Sequence, residues 1–216
     1  MPIVVVEGLE ILVSPEEQYI QVYDIEAKDA EKLWERVKQD YPGFVVDFCF
    51  NNTVAPIHFL KEVQAEVLDD CIETRLIKKD MVELQVEKAP ALREEDFEIF
   101  ADFHDKRNPE MAWSSEKLKN DLANWRIFAQ SLRGEIAGYS LMRTDGALYW
   151  DIYGVEADAL EDKVALIAAA VKCAFETNPE AEVVFMVDRE NYLELGAALH
   201  LGFRRAGYYI SYRCKA

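Results

Sequence analysis

The sequence predicts an α/β (α+β) protein with a mixed central sheet flanked by helices and an N-terminal partial repeat of the same pattern packed on it. Strand-length runs of alternating or continuous apolar residues are interleaved with segments whose apolar residues recur at helical spacing. Two dipeptides suited to hairpin turns, Arg133-Gly134 and Asp145-Gly146, separate strands in the middle of the chain. One strand-like phrase also occurs twice, as YIQVYDIEA at 19–27 and YWDIYGVEA at 149–157. The two agree or nearly agree at Tyr19/Tyr149, Tyr23/Tyr153, Ile25/Val155, Glu26/Glu156 and Ala27/Ala157.

The first phrase opens a series of a short helix (KDAEKLWERVKQD), an apolar strand (FVVDFCF), a second helix (APIHFLKEVQAEVL) and a strand (CIETRLIKK). From residue 81, MVELQVEKA alternates Val82, Leu84 and Val86 and reads as a half-buried strand. REEDFEIFADFH places Phe97, Phe100 and His104 at helical spacing, with acids in the first turn where the helix dipole favours them. A second helix starts at the Ser114-Ser115 cap and runs to about Trp125. The strands IFAQSLR and EIAGYSLMRT flank Arg133-Gly134, and Asp145-Gly146 leads into the second phrase. Residues 158–177 form a helix so rich in alanine and other apolar residues that it must be covered on most sides. EVVFMVD is a buried strand, and ENYLELGAALHLGF is a helix stopped by Gly202, with Phe203 folded back over its last turn. YYISYRCK closes the chain as an alternating strand.

The composition bounds the partners. With 24 Lys and Arg against 41 Asp and Glu, the net charge is −17, so nucleic acid and anionic membranes are poor partners and a cationic amine is favoured. No secretory leader is read ahead of the first strand, and the longest apolar run, VALIAAAV, is far shorter than the roughly 20 residues of a membrane span. The four cysteines lack C-x-x-C spacing and read as free thiols of a cytoplasmic protein, and no metal site is expected.

The order β-α-α-β-β-β-α-β-α-β from about Met81 to Ala216 resembles the GNAT N-acetyltransferase superfamily. The most specific match is Asn191, Leu195, Leu199, Gly202, Phe203, Gly207 and Tyr208. By this resemblance residues 81–216 are a full GNAT-like domain, and residues 1–80 are a half copy lacking the helices that normally begin the fold. A half copy cannot bury both faces of its sheet, so it should pack on the full copy or on another chain, as in a homodimer.

The resemblance implies an N-acetyltransferase that moves an acetyl group from acetyl-CoA to a small amine. It makes YWDIYGVEA the strand that splays from its neighbour to admit the acyl-CoA arm. Asp151, sharing a face with Tyr149 and Tyr153, is the candidate general base. Val155, Lys163, Val164, Ala165 and Asn191 fall at cofactor-binding positions. The family's phosphate loop, Gln/Arg-x-x-Gly-x-Gly/Ala, falls here on Leu160, Lys163 and Ala165, of which Ala165 alone fits. Asp158, Glu161 and Asp162 crowd the helix start, where an acid-capped helix with no ligand explains them equally well. Lys163 offers one compensating charge, although a lone helix lysine is ordinarily solvated. The helix tyrosine of the family is replaced by Ala198, and His200 faces elsewhere. The first copy has Gln21 where the second has Asp151 and reads as catalytically empty. A GNAT-derived binding or scaffolding protein with a decayed CoA site is the alternative.

Overall fold

The computed structural model describes residues 2–85, 89–109, 111, 113–132, 135–144, 146 and 148–216. The chain forms two compact units, one of Met1–Ile72 with Gly207–Ala216 and one of Glu73–Ala206.

The first unit contains β1 (Ile3–Val6), β2 (Leu9–Ser14), β3 (Tyr19–Tyr23), α1 (Ala27–Asp40), β4 (Val45–Asn51) and α2 (Ile57–Glu62). Residues 66–72 of β5 (Glu66–Ile77) and 207–215 of β10 (Arg204–Lys215) complete it, with strand order β1-β2-β3-β4-β10-β5. Helix α1 buries Ala30, Leu33, Trp34 and Val37, the i, i+3, i+4, i+7 stripe of an amphipathic helix, against Ile20, Val22, Val46 and Phe48. On the other face Asp47 is buried, accepting from Tyr19 Oη at 2.6 Å and from Arg213 Nε and Nη2 at 2.7 Å each. The β1–β2 hairpin is absent from the sequence reading. Its turn residues Glu7 and Gly8 both have positive φ, 51° and 84°, as a two-residue hairpin turn requires. Helix α2 is shorter than expected and β5 longer. Gln64 takes φ 55° and the Ala65 amide donates to Leu60 O at 2.9 Å, a left-handed stop made without glycine.

The second unit contains α3 (Phe97–Arg107), α4 (Ser115–Asn120), β6 (Trp125–Leu132), β7 (Glu135–Thr144), β8 (Tyr149–Glu156), α5 (Leu160–Thr177), β9 (Glu182–Asp188) and α6 (Tyr192–His200). Residues 204–206 of β10 and 73–77 of β5 join its sheet, in the order β10-β5-β9-β8-β7-β6. Helix α3 lays Phe97 and Phe100 on Ile127, Tyr139 and Leu141. His104 is buried as expected, bonded to Tyr139 Oη at 2.7 Å and to the Trp113 carbonyl at 2.8 Å. Ser114 caps α4, but that helix ends at Asn120, short of Trp125, which instead begins β6. Helix α5 packs on β6, β7, β8 and α6, which accounts for its apolar composition. At the end of α6, Gly202 has φ 98° and the amides of Gly202 and Phe203 donate to Leu199 O and Ala198 O, both at 3.1 Å. A Cβ on Gly202 would stand 2.1 Å from Asp80 O, so the position excludes every other residue without rearrangement.

The strand expected over 81–89 does not form in its described part. Residues 81–85 are irregular because they wrap the end of α6, the Val82 amide donating to Leu201 O at 3.0 Å. The free edge of β6 is met instead by the segment around Ala91, where Leu92 N donates to Ile127 O at 2.8 Å. Val86, Arg133-Gly134 and Asp145 lie outside the described residues, while Gly146 takes φ 89°.

Along the chain, β1 to β5 and β6 to β10 therefore each run hairpin, strand, helix, strand, helix, strand, and the twin phrases occupy the third strand of each series. The division crosses β5 and β10, so the boundary expected at residue 80 leaves a strand segment of the second unit upstream of it. That segment holds Thr74, wholly buried, whose hydroxyl donates to Phe185 O at 2.8 Å. A fragment of residues 81–216 lacks it, and also lacks β4, with which Tyr209–Lys215 pairs. Such a fragment should melt roughly 10 °C or more below the full chain and self-associate. Scanning calorimetry and size-exclusion chromatography measure both, and a monomeric fragment with the full-length melting temperature would contradict the shared-strand account.

Candidate functional site

Strands β8 and β9 run parallel but pair only from Tyr149↔Glu182 to Ile152↔Phe185. Strand β8 continues to Glu156 and β9 to Asp188, so their carboxyl ends part, the place where open α/β sheets hold ligands. The twin in the first unit starts in the same register, Tyr19↔Val45, yet stays closed through Tyr23↔Cys49. Asp24 then extends the closure, its amide donating to Cys49 O at 2.8 Å and its carboxylate accepting from Asn51 N at 2.9 Å. Of the two series, the second has the parted strands, since both β8 and β9 run on beyond the end of their ladder.

The parted edge of β8 must satisfy its own backbone. A Cβ on Gly138 of β7 would lie 2.7 Å from Glu156 O, so that carbonyl faces β7. Alternation turns the Val155 carbonyl to the opposite edge, into the cleft. It accepts from Lys163 Nζ at 2.9 Å. Lys163, in the first turn and a half of α5, is 6% exposed, and its ammonium also pairs with Glu194 Oε1 at 3.0 Å. Asn191 caps α6 and holds that carboxylate's backbone, its Oδ1 accepting from Glu194 N at 3.2 Å. Burial raises the Glu194 carboxyl above the usual carboxylate range, a shift the Lys163 charge only partly opposes. Three of the expected cofactor positions, Val155, Lys163 and Asn191, thus meet in one chain of contacts through Glu194, a residue the sequence reading passed over. Its signal was the Asn-x-x-Glu spacing of a helix start.

Val164 and Ala165 lie on the buried face of α5. Ala159 supplies no side-chain cap, and Leu160, Glu161 and Asp162 are exposed along a cavity of about 410 Å3 that also reaches His200. Asp158 is turned aside to Arg107, which also meets Glu156 at 3.3 Å. The parted strands suit an extended acyl-thioester arm. The first turn of α5 does not suit the phosphates of acetyl-CoA, because two carboxylates stand there and the nearest lysine is committed elsewhere.

The other face of β8 carries Tyr149, Asp151 and Tyr153, as the period of two requires. Asp151 stands opposite Arg143 on β7, and Arg143 stands opposite Trp125 on β6. The Arg143 guanidinium lies 5.1 Å from the Trp113 ring and 5.9 Å from that of Trp125, and Tyr153 packs edge-on at 5.1 Å from Trp125. The candidate base is therefore half-buried beside a cation on an aromatic surface. Ala198, which stands where the resemblance would place a tyrosine, is fully buried.

No known family profile and no curated protein sequence matches the chain. Solved structures do match in fold. A GCN5-related N-acetyltransferase from Sphaerobacter thermophilus superposes with a TM-score of 0.69 at 12% identity, over 95% of this chain and 75% of that one. One from Kribbella flavida gives 0.69 at 11% identity, over 99% and 89%. A tandem GNAT protein of the clavulanic acid biosynthesis pathway gives 0.60 at 14% identity, over 96% and 78%. The fold is that of the GNAT N-acetyltransferases.

The Glu194 shift has a consequence for stability. A carboxyl whose folded pKa is raised favours the native state fully below its ordinary pKa and loses that contribution as pH rises through the folded value. The melting temperature of the native protein minus that of Glu194→Gln should therefore rise as pH falls from 7 toward 4.5. Calorimetry across this window checks it, and a flat difference would show that Glu194 is not perturbed.

Proposed function

We propose that the second unit is an N-acyltransferase domain that transfers an acetyl group from weakly held acetyl-CoA to a small amine. The observation that carries this reading is the parting of β8 from β9 beyond Ile152, against the closed ladder of its twin. A thioester cosubstrate supplies an activated acyl carbon, and the chain has to orient the amine and take up its proton. Asp151 is the base in this reading, with Arg143 and the aromatic surface fixing its surroundings. The first unit is the partial repeat, without a base or a cleft on β3. The net charge of −17 supports a cationic small-molecule partner over nucleic acid, and no described helix is long and apolar enough to cross a membrane. A cytoplasmic location and a homodimer belong to the same proposal.

The Lys163–Glu194 pair and the exposed acids of α5 favour a second reading, a binding or scaffolding protein built on this fold. Calorimetric titration separates the two. Acetyl-CoA should bind with Kd of about 0.1 mM or weaker, and more weakly at low salt, because Glu161 and Asp162 oppose its phosphates. Low-micromolar affinity would overturn the charge argument, and no binding of any acyl-CoA would leave the scaffolding reading. With an acceptor in hand, Asp151→Asn should lower turnover by about 10²–10⁴-fold at an unchanged melting temperature. Full turnover in that variant would remove Asp151 from the chemistry.

A further inference from the structure

We propose that Lys163 is a built-in occupant of the carrier slot, so that its ammonium and the amide-bearing arm of an acyl thioester exclude each other from the β8–β9 cleft. This rests on the acyl-transfer reading of that cleft and adds what fills it at rest. The Val155 carbonyl is the backbone acceptor that an arm's amide N–H would meet on the parted edge of β8, and Lys163 Nζ already stands 2.9 Å from it. The same ammonium neutralises Glu194 at 3.0 Å, and the residue is 6% exposed, so this is a buried tether and not a surface lysine leaning inward. The tether is removable. Lys163 reaches the cleft through a four-carbon stem rooted on α5, so rotation of that stem clears the slot without moving a strand.

Departure of Lys163 strips Glu194 of its cation. An arm that takes its place must therefore offer donors to both Val155 O and Glu194, which selects carriers bearing amide or hydroxyl groups along the chain and disfavours bare alkyl thioesters. A ligand of this class also returns Lys163 to solvent beside Glu161 and Asp162.

S-Acetylpantetheine, which has the arm without the nucleotide phosphates, tests the slot apart from phosphate repulsion. Lys163→Met should bind it at least about tenfold more tightly than the native protein. Neutralising Glu161 and Asp162 together should leave its affinity unchanged and improve that of acetyl-CoA alone. A second readout uses the native chain, in which labelling of Lys163 by an amine-reactive acetyl ester, followed by mass spectrometry, should be slow and should accelerate when S-acetylpantetheine is added. Glu194→Gln, which keeps the cleft's shape, should also speed that labelling and covers the case in which Lys163→Met folds poorly. Equal affinity of native protein and Lys163→Met for S-acetylpantetheine, with labelling unaffected by ligand, would overturn the occupant proposal while leaving acyl transfer intact. Absence of binding by every variant would overturn both.

Discussion

A backbone carbonyl that leaves its ladder inside a protein must find another donor, and the organisation of the cleft follows from how Val155 meets that demand. Had β9 continued beside β8, the carbonyl would have been paired within the sheet. Because the strands part, the donor comes from a helix, and a lysine able to reach it must bring a counter-charge, which α6 supplies as Glu194. Asn191 then fixes the start of α6. One acceptor left without a strand partner thereby ties β8, α5 and α6 together, and burial holds the Glu194 carboxyl above the usual carboxylate range.

The two halves of the chain show what turns the same pattern into a cleft or a closed sheet. Both twin phrases begin in equivalent register with the following strand. In the first, Asp24 adopts φ 48° and uses its amide and carboxylate to draw β4 in, while Asp47, Tyr19 and Arg213 bind three strands across one face. In the second, the equivalent reach is lost after Ile152 and helices α3 and α4 cover the face near β6 and β7. The difference between the two ladders lies where each strand ends, at Asp24 in the first and beyond Ile152 in the second.

Much of the fold was legible because it rests on local rules. The Ser114 cap, the stripe of Phe97, Phe100 and His104, and the Gly202 stop each announce themselves within a few residues. The failures share a physical origin. Gln64 ends α2 in a conformation usually given to glycine, so no residue type marked the stop. Residues 81–85 alternate like a strand but are held by the end of α6, more than a hundred residues downstream. At the site, the family resemblance pointed to Lys163 and Asn191, yet a lysine's rotamer is not written in its neighbours. Its partner Glu194 lies 31 positions away. Asp151 was legible by alternation, whereas its neighbour Arg143 emerged only from the antiparallel register.

The strand shared through β10 also sets an order of events during synthesis. Arg213 meets Asp47 across 166 positions, and Tyr209–Lys215 is the only described partner of β4 on the side away from β3. While the ribosome is still working, β4 therefore presents an unpaired edge of largely buried-type residues, and closing so long a loop is slow. The first unit to be translated is the last to be finished.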